Sequence, residues 1–126
     1  MKLLIVDDSS VIRKVIRAAT DVLEIEAEEA RDGVEALEMI QALHEELCLI
    51  LLDWNMPRKN GYEVLLEIKS DERYKHIPVM MVTTEGQRDN TVAAVRAGAS
   101  NYLTKPFTVE EMEVKIIECL GKGGAR

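Results

Sequence analysis

Three short, continuous apolar runs place the strongest constraint on how this 126-residue chain can fold. They cover residues 3–6, 47–52 and 79–82, and none of them alternates with polar residues. Continuous apolar runs of this length are typical of strands buried on both faces, as in a parallel sheet covered by helices. A brief fourth run at Tyr102-Leu103 and a more polar stretch at residues 24–30 complete five predicted strands, with the polar one near the sheet's edge.

Helical patterns fill the gaps between these runs. Ser9 and Asp32 are placed to cap helices, and Thr108 has Glu111 three residues later, which is a capping-box spacing. Five strand–helix repeats predict one doubly wound α/β domain with helices on both faces of the sheet. We expect that domain to cover residues 1–120 and residues 121–126 to form a flexible tail. The first helix is predicted to bury Val11, Ile12, Val15, Ile16 and Ala19.

Composition excludes several classes of function. The chain has 16 basic and 23 acidic residues, a net charge of −7, which argues against nucleic acid as a direct partner. Cys48 and Cys119 lack metal-binding or redox spacing and are expected to be core thiols of a reducing compartment. No run approaches the ~18 apolar residues of a membrane span. We therefore expect a cytoplasmic protein without membrane insertion.

Polar side chains follow the predicted strands at the point where each buried run ends. Because the carboxyl ends of parallel strands share one edge of a sheet, these side chains should converge in one shallow pocket. They are Asp7 and Asp8 after the first strand, Asp53 after the third, Thr83 and Thr84 after the fourth, and Lys105 after the fifth.

The chemistry of that cluster is restricted. Three neighbouring carboxylates repel one another, so at least one should have a raised pKa. Oxygen ligands without histidine or cysteine favour Mg²⁺ or Mn²⁺. With the ammonium of Lys105 and the hydroxyl of Thr83, the set suits a phosphoryl group, and one carboxylate becomes a candidate nucleophile that forms an acyl phosphate.

Each feature alone also has an ordinary structural explanation, such as a helix cap, a turn threonine or a loop lysine. Two other functions share the pattern. A Mg²⁺-dependent phosphatase would also use an aspartyl phosphate, but no segment is long enough to cover a substrate. A flavin or nucleotide binder would share the fold, but no glycine-rich phosphate loop follows the first strand.

The motifs resemble those of a known family, the receiver domain of two-component response regulators. They are Asp7-Asp8, residues 53–57 with Gly61 four beyond the proline, Thr83, and residues 105–107. All occur in the family's order, without a departure from its pattern, and residues 53–57 and 98–108 resemble the single-domain chemotaxis regulators. The resemblance implies a flavodoxin-like (βα)5 fold with strand order 2-1-3-4-5.

The resemblance also implies a role for each site residue. Asp53 would accept a phosphoryl group from a sensor histidine kinase. Asp8, Asp53 and the backbone carbonyl of Asn55 would bind Mg²⁺ directly, and Asp7 would act through water. Around the phosphoryl group, the implied contacts are Lys105, the hydroxyl of Thr83 and the backbone N–H of Thr84, with a cis bond between Lys105 and Pro106.

The family's switch is implied as well. Thr83 and Tyr102 would couple phosphorylation to a surface made by the helix from Asp89 to Ala97, the fifth strand and the helix from Thr108 to Leu120. A downstream protein target would bind that surface. Asn55 and Glu85 would tune a fast dephosphorylation.

The protein would thus be a monomeric signalling module and not an enzyme, although it catalyses its own phosphorylation and dephosphorylation. Chemotaxis or motility is the favoured output. A transcription factor, a phosphorelay or a phosphate sink is the alternative.

Overall fold

Five strands alternate with five helices in the computed structural model, which describes residues 1–84 and 88–124. The alternation along the chain is the one that the sequence predicts. The strands are β1 (Lys2–Val6), β2 (Glu26–Ala30), β3 (Leu47–Asp53), β4 (Val79–Thr84) and β5 (Asn101–Lys105). The helices are α1 (Ser10–Val22), α2 (Gly33–Leu43), α3 (Gly61–Ser70), α4 (Arg88–Arg96) and α5 (Val109–Gly124).

The strands form one parallel sheet in the order β2-β1-β3-β4-β5, which confirms the expected order. The chain moves from β1 to β2 on one side and returns to place β3 on the other side of β1. Strand order therefore reverses between β1 and β3, and ligands of open α/β sheets bind at this kind of position.

The core lies on both faces of the sheet, which explains the continuous apolar runs. Along β1, Leu3 and Ile5 pack in one apolar cluster with residues of α1 and α5. Leu4 and Val6 point to the opposite cluster, which contains residues of α2, α3 and α4. Because both faces are covered, consecutive residues of the strand are all buried.

Capping residues begin the helices where the sequence predicts. The side chains of Ser9 and Asp32 accept hydrogen bonds from the backbone N–H groups of Ile12 and Glu35, at 3.3 and 2.8 Å. Thr108 and Glu111 form the reciprocal bonds of a capping box, at 2.8 and 3.0 Å. These bonds satisfy N–H groups that have no partner within their own helix.

The predicted stripe of α1 is wrong at Val11, whose side chain is 66% exposed. The buried residues of this helix are Ile16, Ala19 and Thr20. Successive residues are rotated by about 100° around a helix, so Val11 is turned well away from that face.

Other bounds differ from the sequence-based ones by a few residues. The edge strand begins at Glu26 because Glu24 has a positive φ of 57° and forms a turn. Helix α4 covers Arg88–Arg96, one residue earlier at each end than predicted. Helix α5 continues to Gly124, into the segment expected to be a tail, while the domain boundary itself stays a prediction. Among the described residues, no helix combines the length and apolarity needed to cross a bilayer.

Candidate functional site

The acidic residues predicted to converge do so at the carboxyl ends of β1 and β3. These strands are neighbours in the sheet, and Val6 pairs with Leu52, so Asp7 and Asp53 follow paired residues. One carboxylate oxygen from each of Asp7, Asp8 and Asp53 lies within 4.8 Å of the other two. We call these three residues together with Lys105 the acidic pocket.

Asp7 is the most tightly held member of the acidic pocket, with 1% of its surface exposed. Its backbone N–H donates to the carbonyl of Ala30 at 3.1 Å, and its Oδ1 accepts from the N–H of Ser9 at 2.9 Å. Its Oδ2 is buried and accepts no hydrogen bond of normal geometry among the described residues. This oxygen has an ion-pair partner in Lys105 Nζ, at 3.1 Å.

Asp53 shares the same lysine, whose Nζ lies 3.2 Å from its Oδ1. Burial raises the pKa of Asp53 to about 6, and the charges of Asp7 and Asp8 add to this effect against the opposing attraction of Lys105. For Lys105, burial opposes the charged form, but the carboxylates of Asp53 and Asp7 outweigh it and the pKa is raised. Three carboxylates with one ammonium leave the pocket short of positive charge, which fits a hard divalent cation.

Gly61 is required where the loop after β3 returns toward the pocket. A Cβ at this position would lie 2.1 Å from the carbonyl oxygen of Asp53, closer than any two such atoms can approach. The N–H of Gly61 donates to the carbonyl oxygen of Trp54 at 2.8 Å. The N–H of Trp54 donates to the carbonyl oxygen of Val82 at 3.1 Å. Both bonds involve the backbone of Trp54, so they hold the chain directly after Asp53, next to the exposed Asn55.

The same loop is tied to the start of α2 by an ion pair. Arg58, which has a positive φ of 68°, places Nε and Nη2 each 3.2 Å from a carboxylate oxygen of Asp32. Asp32 also caps α2, so one side chain fixes both the helix and the loop.

The remaining predicted site residues lie on β4 and β5. Thr83 is 2% exposed and follows Val82, the partner of Asp53 across the sheet, and Thr84 is exposed and pairs with Lys105. The bond between Lys105 and Pro106 is cis, as expected. Tyr102 is 41% exposed, and Lys115 Nζ lies 5.9 Å from the centre of its ring. Glu85 lies outside the described residues.

One residue at the site was missed by sequence reasoning. Arg13 on α1 donates from Nη1 to the backbone carbonyl of Asp7, at 2.6 Å. The available signal was the spacing of Arg13 and Arg17, one helical turn apart, together with acidic residues in the edge strand.

The chain matches a known protein family over most of its length. Residues 3–117 match the family described as the response regulator receiver domain. The chain belongs to the response regulator receiver family. The match covers most of the 126 residues, and the acidic pocket lies within it, at the carboxyl ends of β1, β3 and β5.

Individual receivers similar to this chain include chemotaxis proteins. The chain is 42% identical to the chemotaxis protein CheY1 of Helicobacter pylori over 122 residues, 96% of this chain and 98% of that protein. It is 41% identical to the chemotaxis protein CheY of Pseudomonas aeruginosa over 117 residues, 92% and 93% of the two chains.

Solved structures show the same fold. The crystal structure of a receiver domain protein from Clostridium thermocellum matches with a TM-score of 0.89 at 27% identity, over 98% of this chain and 97% of that one. Vibrio cholerae chemotaxis protein CheY4 matches with a TM-score of 0.82 at 33% identity, over 94% and 97%.

Proposed function

We propose that this receiver takes a phosphoryl group from a sensor histidine kinase onto Asp53, with Mg²⁺ or Mn²⁺ bound in the acidic pocket. The observation that carries the proposal is the surplus of negative charge around a buried carboxylate. Asp53 has a pKa raised to about 6 and one nearby ammonium group. A divalent cation supplies the missing positive charge there, and it also neutralises the oxygens of an incoming phosphoryl group.

The residues present fit that cation. Asp8 is exposed at the mouth of the pocket and, with Asp53 and the backbone carbonyl of Asn55, would bind the metal directly. Asp7 would act through a bound water molecule. Its buried Oδ2 faces Lys105 Nζ at 3.1 Å but accepts no hydrogen bond of normal geometry among the described residues, so it can also accept from such a water.

Phosphoryl transfer would use groups that already lie at the pocket. A carboxylate oxygen of Asp53 forms a bond to phosphorus as the bond to the kinase's histidine nitrogen breaks. Lys105 Nζ, now 3.2 Å from Asp53 Oδ1, would pair with a phosphoryl oxygen, and the hydroxyl of Thr83 and N–H of Thr84 would bind others. Water attack on phosphorus would break its bond to Asp53 and release phosphate, and the proposed residues that tune this dephosphorylation are Asn55 and Glu85.

Phosphorylation would replace the Asp53 carboxylate, with its charge of −1, by a bulkier phosphoryl group that carries roughly −1.5 to −2 charge. The added charge and oxygens would attract Lys105 and Thr83. Movement of Thr83 toward the phosphoryl group would leave space that Tyr102 fills. The surface that changes is formed by α4, β5 and α5, and a downstream protein target would bind it. Its exposed apolar side chains include Val92 and Val95, and an open cleft of about 660 Å³ lies beside Tyr102 and Lys115.

The proposed output is chemotaxis or motility signalling in the cytoplasm, by a monomer. It is supported by relatives about 40% identical over nearly the whole chain that are chemotaxis proteins. A stand-alone or excised receiver with another output, such as a transcription factor, a phosphorelay or a phosphate sink, is the alternative.

Covalent labelling tests the proposal. Incubation with Mg²⁺ and phosphoramidate should add one phosphoryl group per chain, seen by intact mass and placed on Asp53 by borohydride trapping. The label should disappear in Asp53→Asn and persist in Asp21→Asn, which changes an exposed aspartate on α1. A label that remains in Asp53→Asn, or that forms equally well in EDTA, contradicts the assignment.

A further inference from the structure

We propose that Arg13 is a positioning residue for the turn that carries Asp7 and Asp8, and that it thereby sets the affinity of the pocket for Mg²⁺. This inference rests on the proposed function, because it concerns the metal site assigned there. Among the described residues, the side chain of Arg13 forms hydrogen bonds and ion pairs with Glu29 and the carbonyl of Asp7, and with neither Asp8 nor Asp53. Its proposed role is therefore to hold the backbone of the turn and not to bind the metal or the phosphoryl group.

The guanidinium of Arg13 bridges two elements. Nη1 donates to the backbone carbonyl of Asp7 at 2.6 Å, and Nε donates to Glu29 Oε1 at 2.8 Å. The side chain is 13% exposed, so both bonds lie largely out of water. Hydrogen bonds from a charged donor are short and about twice as strong as neutral ones. Arg13 therefore ties the turn to the edge strand β2.

The carbonyl that Arg13 holds has direct geometric consequences for Asp8. The carbonyl of Asp7 and the N–H and Cα of Asp8 belong to one planar peptide unit. Fixing the oxygen of that plane restricts the direction in which Asp8 leaves the turn. Asp8 is exposed, so packing contributes little to its placement. The backbone bond made by Arg13 takes over that task.

Arg17 provides a matched comparison on the same helix. Its Nε donates to Glu29 Oε2 at 2.7 Å, and its Nη2 donates to the carbonyl of Ala27 at 3.1 Å. Arg17 thus shares the carboxylate of Glu29 with Arg13 but bonds the backbone of β2 instead of the turn. We call Arg13, Glu29 and Arg17 the arginine network.

Charge and position predict opposite effects of removing Arg13. A positive guanidinium near the pocket repels a cation, so its loss through charge alone would tighten Mg²⁺ binding. Loss of the positioning bond would weaken Mg²⁺ binding, because the ligands on the turn would no longer be held in one arrangement. Tighter Mg²⁺ binding after the loss of Arg13 would indicate the charge effect, and weaker binding would indicate the positioning effect.

Calorimetric titration with Mg²⁺ measures that sign. Arg13→Met keeps the aliphatic stem and removes the donors. Arg13→Lys keeps the charge but replaces the two donor nitrogens, Nε and Nη1, by a single ammonium nitrogen on a different stem. We expect both variants to bind Mg²⁺ about tenfold more weakly than the unaltered protein. Arg17→Met should stay within about twofold. Urea unfolding of the metal-free variants measures how much stability Arg13→Met and Arg17→Met lose. If the losses are similar, a difference in Mg²⁺ affinity between the two variants cannot come from general destabilisation.

A second readout does not depend on the metal. The N–H of Ser9 donates to Asp7 Oδ1, so its hydrogen exchange reports the order of the turn. In metal-free protein, exchange at Ser9 should be faster in Arg13→Met than in Arg17→Met. Tighter Mg²⁺ binding by Arg13→Met, or equal effects of Arg13→Met and Arg17→Met in both readouts, overturns the inference.

The two proposals fail differently. If the unaltered protein binds no Mg²⁺, the proposed metal site is wrong, and the affinity part of this inference falls with it. Exchange at Ser9 then still decides whether Arg13 holds the turn. If Mg²⁺ binds normally to the unaltered protein and to both Arg13 variants, the proposed function stands and the role of Arg13 is overturned.

Discussion

Two clusters of charge lie close together in this receiver and are balanced in opposite ways. The acidic pocket has three carboxylates and one ammonium group, whereas the arginine network has two guanidinium groups and one carboxylate. In the pocket, the pKa of Asp53 is raised to about 6, first by burial and then by its acidic neighbours. In the network, burial opposes ionisation of Glu29, but bonds from Arg17 and Arg13 outweigh it and lower the pKa.

The difference separates a site that needs a ligand from one that is complete. When the pKa of a carboxyl group is raised, its ionised form is less favourable in the folded protein than in water. A bound cation offsets this cost, because it favours the ionised form. A carboxylate whose pKa is lowered already has its counter-ions. Without a bound cation, the acidic pocket therefore lowers the stability of the folded protein. The arginine network raises that stability and holds the backbone beside the pocket.

The largest expected effect concerns the backbone of the pocket. Gly61→Ala places a Cβ 2.1 Å from the carbonyl of Asp53, so the loop or the strand end must move. We expect the free energy of unfolding to fall by about 3 kcal/mol in urea titrations, the upper part of the usual range for overpacking. Gly121→Ala is the control, because a Cβ there meets nothing within 4 Å and should leave stability unchanged or slightly higher. Equal effects of the two changes would refute the close approach.

Mg²⁺ should raise the free energy of unfolding by binding in the acidic pocket, without changing what the arginine network adds to that free energy. At a concentration 100 times the dissociation constant, binding to the folded state adds about 2.7 kcal/mol to the free energy of unfolding. Thermal unfolding with Mg²⁺ and with EDTA measures the gain. It should be much smaller in Asp53→Asn and nearly fully retained in Arg17→Met, whose Mg²⁺ affinity is expected to change by no more than about twofold. A gain of full size in Asp53→Asn would place the metal elsewhere.

Without metal, Asp53→Asn should make the protein more stable. At pH 7 the ionised carboxylate is unfavourable in the folded state, because its folded pKa is about 6 against 3.8 in an ordinary aspartate. Allowing for solvent at the mouth of the pocket, we expect a gain of about 1–2 kcal/mol in urea unfolding. The gain should shrink as the pH falls below about 6 and vanish below 3.8, where the native carboxyl is protonated in both states. A loss of stability in Asp53→Asn contradicts this account of the pocket.

The smallest effect belongs to the network and has the opposite sign. Glu29→Gln should lower the free energy of unfolding at pH 7 by less than about 1 kcal/mol, since the Glu29 side chain is one-third exposed. The folded pKa of Glu29 is lowered, so its contribution is present above the ordinary pKa of 4.5 and is lost as the pH falls through the folded value. Unfolding at pH 7 and pH 3 measures this, with Glu26→Gln on the same strand as control. A destabilisation that persists unchanged in acid would show that charge is not the cause.

The two clusters also differ in whether the sequence predicted them. The pocket was predicted because its members lie within two residues of the end of an apolar run, and parallel strands bring such positions together. The network was not predicted, because Arg13 and Glu29 belong to a helix and an edge strand whose polar residues had no assigned partner. The wrong assignment of Val11 to the buried stripe has the same origin. Local periodicity does not show which face of a helix the sheet covers.

The sequence alone determined the order of strands and helices, the burial of the sheet on both faces, and the identity of the residues at its carboxyl edge. Those follow from local patterns that one strand or helix carries by itself. Only the tertiary structure decided the distances in the pocket, the raised pKa of Asp53 and the bond from Arg13 to the turn. Each of these depends on atoms from several segments, and electrostatic energy changes with separations of a few ångström that no local pattern records.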